Sequence, residues 1–178
     1  MTKNQNHQEL SELKKILIIG NGGRENSIAW ALSKNKSIEQ IYVCPGNGGT
    51  ANFAKCICLK TKSKDEKTII YECQKLKINL VIIGPEVPLA EGLANKMREA
   101  GLTVLGPCKE GAQLEASKAW AKALMIENNI PTAKYWTTTS KEVALNILDK
   151  FKKPLVIKAD GLAAGKGVTV CETIDQTK

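Results

Sequence analysis

The feature that most constrains this chain is Ile16 to Ile19, a continuous apolar run that ends in Gly20-Asn21-Gly22-Gly23 and leads into Ile28, Ala31 and Leu32 at helical spacing. That order reads as strand, tight turn and helix. The pattern then recurs. Ile41-Tyr42-Val43 reads as a strand, Ser63 and Glu66 as a capping box opening a helix, and Leu80-Val81-Ile82-Ile83 as a buried strand. Leu89, Leu93 and Met97 mark one face of a further helix, Gly101 ends it, and Thr103-Val104-Leu105 supplies the next strand. Short strands alternating with amphipathic helices imply a parallel sheet in a doubly wound, Rossmann-like α/β domain. The expected organisation is a polar tail over 1–14, this α/β domain over 15–114, and a second unit over 115–178.

The second unit opens with a helix from Glu115 that carries Trp120 and Leu124 on one face and stops at Asn128-Asn129-Ile130-Pro131. Residues 134–138 are β-prone, and Ser140 can cap a helix whose buried face is Val143, Ala144, Ile147 and Leu148. Leu155-Val156-Ile157 and Val168-Thr169-Val170 read as a hairpin around the glycine-rich loop Gly161 to Gly167. Thr173 and Gln176 form another capping box two residues before the last one, so this unit is expected to be cut in mid-fold.

Composition narrows the function classes. The net charge is +8, but the lysines are dispersed and aromatics make up 4%, so no basic stripe interleaved with stacking rings points to nucleic acid. No apolar run approaches the ~18 residues of a membrane span, and Met1 to Leu13 lacks the apolar core of a secretory signal, which implies a cytoplasmic protein. The six cysteines form no C-x-x-C pair and the one histidine, His7, lies in the polar tail; reduced, mostly buried thiols are expected rather than zinc ligands or disulfides.

Three loops should lie at carboxyl ends of strands in one sheet: Gly20 to Glu25, Pro45-Gly46-Asn47-Gly48-Gly49-Thr50, and Gly84-Pro85-Glu86. That edge is where open α/β sheets bind ligands. The first loop begins like the dinucleotide pattern G-x-G-x-x-G, but Glu25 stands where the third glycine belongs and Cys44-Pro45 replaces an acidic ribose ligand, which argues against NAD. What survives is a helix N-terminus beside Arg24, suited to a phosphate or carboxylate, or to a purely structural turn. The loop Asp160 to Gly167 fails as a Walker A motif: Gly161 to Gly165 is one residue short, and Gly167 follows Lys166 where a Ser or Thr would hold magnesium. Its small residues suit a flap over nucleotide phosphates, or equally a mobile surface hairpin. Lys158 ends a strand next to an apolar run, and Lys118 begins a helix, where the dipole favours lysine less than at the other end.

Taken in order, Lys15 to Glu25, Pro45 to Thr50, Gly84 to Leu89, Glu115 to Lys118 and Val156 to Val168 resemble the motifs of the phosphoribosylamine-glycine ligase family, an ATP-grasp group of carbon-nitrogen ligases in purine biosynthesis. The resemblance runs from about Lys15 to the last residue, with Asn26 standing where the family usually has histidine. It implies an N-terminal substrate domain followed by the first part of an ATP-grasp domain. It implies that glycine is activated by ATP as an acyl phosphate, which the amine of phosphoribosylamine attacks to give glycinamide ribonucleotide, ADP and phosphate. On the same resemblance Lys118, Lys158, Gly161, Gly165, Lys166 and Gly167 would bind ATP, while Asn21, Gly22, Gly23, Arg24, Glu25, Gly46, Asn47, Gly48, Pro85 and Glu86 would bind phosphoribosylamine. The metal, Mg2+ or Mn2+, would be held by residues beyond Lys178, so the chain alone is expected to be inactive. A monomer or weak homodimer without nucleic-acid or membrane partners is expected. The alternatives are a related ATP-grasp carboxylate-amine ligase or carboxylase with a different acceptor, and a module that only binds a phosphorylated sugar or nucleic acid.

Overall fold

A computed structural model of the protein describes residues 13–61, 65–151, 153–163 and 165–177. The chain divides into two compact units, Met1–Ala112 and Gln113–Lys178.

In the first unit β1 (Lys15–Gly20) is apolar at every central position because both of its faces are covered. Leu17 and Ile19 enter one core with Val81, Ile83, Ile69 and Met97, whereas Ile16 and Ile18 enter the opposite core with Ala29, Ile41, Val43 and Ile82. Full burial of each such side chain stabilises by roughly 1.5–3 kcal/mol, which favours placing this strand at the centre of the sheet. The helix α1 (Gly23–Ser33) follows, then β2 (Gln40–Pro45), β3 (Cys56–Cys58), α2 (Glu66–Leu76) and β4 (Leu80–Ile83). Two short helices, α3 (Glu86–Ala90) and α4 (Leu93–Glu99), precede β5 (Val104–Leu105) and α5 (Lys109–Ala116). The five strands lie in the order β3-β2-β1-β4-β5 and every pair is parallel, as the alternation of strands and helices implies. The strand order therefore reverses between β1 and β4.

Several local expectations change. Ala31 is exposed, and the buried stripe of α1 runs instead through Glu25 and Ala29, with Ile28 and Leu32 half-buried. Leu89, Leu93 and Met97 are all buried, but they belong to two helices, because Gly92 takes a left-handed conformation (φ +91°) between them. Gly101 closes α4 as expected, with Leu102 N–H returning to the Met97 carbonyl at 3.0 Å. Ser63 lies outside the described residues. The cap of α2 is Asp65, whose carboxylate accepts from the Thr68 hydroxyl at 2.7 Å and the Thr68 amide at 3.2 Å.

In the second unit α6 (Lys118–Glu127) is separate from α5, broken at its cap Ser117, and its buried residue is Ala121 while Trp120 is exposed. It stops at Asn129, which is left-handed (φ +56°) and lets Ile130 N–H bond the Met125 carbonyl, before Pro131 is reached. Residues 134–138 form no strand: β propensity measures fit to a pleated neighbour, and no strand pairs with this segment among the described residues. Ser140 caps α7 (Lys141–Phe151), on which Leu148 is buried, Ala144 and Ile147 are half-buried, and Val143 is exposed. The antiparallel pair β6 (Val156–Lys158) and β7 (Val168–Val170) flanks the glycine-rich loop. The Thr173–Gln176 box closes reciprocally and opens α8 (Ile174–Thr177).

All six cysteines are free, with Cys44, Cys73 and Cys171 buried and Cys108 exposed. Burial pushes the Cys44 thiol up to about 11 and the Cys73 thiol up to about 12, so the reactive thiolate is scarce at neutral pH. Peptide mass spectrometry after brief alkylation at pH 7 is expected to find Cys108 labelled first, and Cys44 and Cys73 labelled only after unfolding. Equal labelling rates at Cys73 and Cys108 would contradict this burial.

Candidate functional site

The carboxyl ends of β1, β2 and β4 carry the three loops named from the sequence, and backbone bonds tie these loops to one another. Gly46 N–H donates to the Gly20 carbonyl at 3.1 Å, and Gly84 N–H donates to the Ile19 carbonyl at 3.1 Å. Side chains complete the linkage: Asn47 Nδ2 donates to the Asn21 carbonyl at 2.9 Å, and the Arg24 guanidinium donates to the Gly84 carbonyl. The structure thus brings Asn21 to Glu25, Gly46 to Gly48, Pro85 and Glu86 together on one rim, at the strand-order reversal where such sheets receive ligands.

At the centre of the rim is the N-terminus of α1, whose cap Gly22 contributes no side chain. Unpaired amides of a first helical turn carry partial positive charge and favour an anion. Arg24 adds a full charge, 3.7 Å from the Glu86 carboxylate, and its side chain is 64% exposed to solvent. Glu25 differs from its neighbours. It is 4% exposed, and its Oε2 accepts from Gly22 N–H at 2.7 Å, the returning half of a capping box. Its side chain fills the space beneath Gly20 and Gly84, where a Cβ on either glycine would run into it. Glu25 therefore fixes the shape of the rim from within. Asn26 Oδ1 is buried without a hydrogen-bond partner and faces Gly49.

The second unit holds the other group of residues. Ser117 caps α6 by accepting from Trp120 N–H at 3.1 Å, and its hydroxyl donates to Asp160 Oδ2 at 3.0 Å. Asp160 also accepts from Ala119 N–H at 3.2 Å, and Lys118 Nζ donates to the Gly161 carbonyl at 3.0 Å. The Ala119 amide, helped by the Ser117 hydroxyl, holds the Asp160 carboxyl below the usual carboxylate range. Its contribution to folding is present above the unfolded aspartate pKa and is lost as pH falls through the lowered value. Beyond this tie, Gly161 and Gly165 have positive φ (+90° and +76°), and a Cβ on either would meet nothing within 4 Å, so the loop backbone can be approached closely. Gly167 is different, because its Cβ would come 2.6 Å from that of Ala163. Lys158 and Lys166 are exposed at the base and the tip of the hairpin.

Sequence reasoning left two of these contributions unread. In the sequence Asp160 shows only as the first residue of a loop and Ser117 only as part of a motif, although a serine directly before a helical stretch is a strong cap signal. Among the described residues, no group of three or more His, Cys, Asp or Glu side chains could hold a metal ion, so the metal implied by the family resemblance has no donor set there. Among the same residues no helix is long and apolar enough to cross a membrane.

Residues 14–115 match the family model of the phosphoribosylglycinamide synthetase N domain, and residues 116–178 match that of the phosphoribosylglycinamide synthetase ATP-grasp (A) domain. The phosphoribosylamine--glycine ligase of Nostoc sp. is 49% identical over 164 residues, covering 92% of this chain and 39% of that protein. The enzyme of the same name from Clostridium acetobutylicum is 49% identical over 158 residues, covering 89% of this chain and 38% of its own length. Among solved structures, the Thermotoga maritima phosphoribosylamine--glycine ligase superposes with a TM-score of 0.69 at 32% identity, covering 92% of this chain and 37% of that one. The biotin carboxylase domain of Hydrogenobacter thermophilus 2-oxoglutarate carboxylase, solved with MgADP and bicarbonate, gives 0.71 at 18% identity over 92% of this chain and 38% of that one, a likeness of fold. The chain thus spans 39% of the length of the Nostoc relative. With family models matching consecutively from residue 14 to residue 178, over the sheet rim and the glycine-rich hairpin alike, the chain belongs to the phosphoribosylglycinamide synthetase family.

Proposed function

We propose that this chain supplies the phosphoribosylamine-binding domain and the first ATP-binding elements of a phosphoribosylamine-glycine ligase. The observation that supports this most is the rim at the strand-order reversal, where three loops are hydrogen-bonded around a helix N-terminus whose cap residue, Gly22, has no side chain, beside Arg24. Exposed amides and a guanidinium suit the phosphate of a ribosyl phosphate. In this reading Asn21, Gly22, Gly23 and Arg24 face that phosphate, and Gly46, Asn47, Gly48, Pro85 and Glu86 border the sugar. Glu25 shapes the turn from beneath.

Lys118 and Lys158 offset triphosphate charge, and the hairpin with Gly161, Gly165, Lys166 and Gly167 closes over it. Transfer of the γ-phosphoryl group to the glycine carboxylate creates the leaving group, and the amine of phosphoribosylamine displaces phosphate to form the amide. Magnesium or manganese would supply further charge neutralisation on the phosphates. The described residues lack a donor set for it, and the roles above belong to the chain's own groups. The protein would work in the cytoplasm as a monomer or weak homodimer.

A chimera in which this chain replaces the matching stretch of the Nostoc enzyme tests the reading. It is expected to form glycinamide ribonucleotide from glycine, phosphoribosylamine and ATP, whereas the 178-residue chain alone forms none. ADP release with bicarbonate in place of glycine, and none with glycine, would instead favour a carboxylase.

A further inference from the structure

Thr50 begins a short 3-10 turn (Thr50–Asn52) after the second rim loop and is 0% exposed. A fully buried hydroxyl must be satisfied, and this one is bonded on every side. Its Oγ1 accepts from Asn47 N–H at 2.8 Å, donates to the Asn47 carbonyl at 2.9 Å, and lies 3.3 Å from Cys58 Sγ. A hydroxyl has one proton to give. With that proton on the Asn47 carbonyl, the Cys58 thiol is the donor in the third contact. Thr50 N–H in turn donates to Asn47 Oδ1 at 2.9 Å.

The hydroxyl thus fixes the Asn47 main chain, and the Thr50 backbone N–H fixes its side-chain oxygen. With the main chain so placed, Nδ2 is aimed at the first rim loop, 2.9 Å from the Asn21 carbonyl and 3.4 Å from the Gly22 carbonyl. A turn that served only to reverse the chain would need no bond to residues 26 positions earlier. The surrounding packing is equally specific: Gly46 has φ +74°, and a Cβ there would lie 2.5 Å from Cys58 Sγ and 2.9 Å from Thr50 Oγ1. The loop backbone therefore rests directly on these two side chains.

We infer that Thr50 is a positioning residue, which acts through Asn47 to hold the Asn21-Gly22 turn, and with it the N-terminus of α1, in the conformation that receives the sugar phosphate. This rests on the ligand reading given above. The Asn47 backbone is then held by the Thr50 hydroxyl, while its side chain clamps one loop to the other.

The test compares Thr50→Val, which keeps the shape and loses the hydroxyl, with Thr50→Ser, which keeps the hydroxyl. Calorimetric titration of the Nostoc chimera with glycinamide ribonucleotide is expected to show Thr50→Val weakened about tenfold and Thr50→Ser within about twofold of the parent. Affinity for a non-hydrolysable ATP analogue should stay unchanged in both. A purely structural role would lower the two affinities and the melting temperature together in Thr50→Val; that result, or Thr50→Val binding like the parent, overturns the inference. Hydrogen exchange of the Gly22 amide gives a second measure that needs no ligand. It should accelerate in Thr50→Val and not in Thr50→Ser, and unchanged exchange overturns the inference too. If Thr50→Val does not fold, Thr50→Ala against Thr50→Ser makes the same comparison. Failure of the parent chimera to bind glycinamide ribonucleotide would remove the ligand reading alone, and the exchange at Gly22 would still decide whether Thr50 controls the turn.

Discussion

Replacing Gly20 by alanine is expected to destabilise the first unit by about 2–6 kcal/mol, combining ~1–3 kcal/mol of backbone strain with ~1–3 kcal/mol of overpacking. Gly20 has φ +132°, a conformation that side-chain-bearing residues rarely adopt, and its Cβ would lie 2.5 Å from Glu25 Cγ and 2.6 Å from Cδ. Glu25 cannot swing clear without cost, because it is buried and its carboxylate is the acceptor for Gly22 N–H. The matched control is Gly23→Ala. A Cβ at Gly23 meets nothing within 4 Å, and this residue opens α1, so the change is expected to stay within about 0.5 kcal/mol of the parent. Urea unfolding followed by circular dichroism measures both. Equal midpoints for the two variants would show that Glu25 does not brace the turn.

Lys118→Met in the Nostoc chimera is expected to raise the KM for ATP by about 10- to 100-fold, the range set by losing one charge-assisted contact of ~1.5–3 kcal/mol. Lys118 Nζ donates to the Gly161 carbonyl, at the root of the hairpin, so its ammonium is already placed beside the loop that would close. Lys122 provides the comparison on the same helix. Its Nζ donates to the Thr132 hydroxyl and the Ala133 carbonyl, which binds the middle of α6 to the segment that follows the helix. Lys122→Met should therefore lower the melting temperature while leaving the KM for ATP near that of the parent. Steady-state kinetics at saturating glycine would separate the two, and a KM unchanged in Lys118→Met would remove that lysine from the nucleotide site.

The sheet was readable from sequence because its strands are buried on both faces. Ile16 to Ile19 and Leu80 to Ile83 are apolar without interruption, and no other placement covers both sides of such a run. The division between α3 and α4 was not readable, since the apolar spacing of Leu89, Leu93 and Met97 continues unbroken across the left-handed Gly92. The extended segment 134–138 shows the opposite error, with β-prone residues that have no pleated neighbour.

The rim loops were legible as glycine-bearing turns at strand ends. The bonds that unite them were not. Asn47 reaches Asn21 across 26 positions, and Ser117 reaches Asp160 across 43, and neither pairing leaves a local period for sequence reasoning to find. Glu25 falls between these cases. Its departure from the third glycine of the dinucleotide pattern was visible, but its role as a brace emerged only once Gly20, Gly22 and Gly84 were seen to surround its side chain.

The place of that side chain limits the size of ligand the crossing can take. In a dinucleotide-binding sheet, glycines leave a hollow into which a bridging diphosphate settles against the helix. Here the Glu25 side chain fills that hollow from below, so a bridging diphosphate has no room to settle there. Under the proposed function, the turn is left to a ligand that ends in a single phosphate.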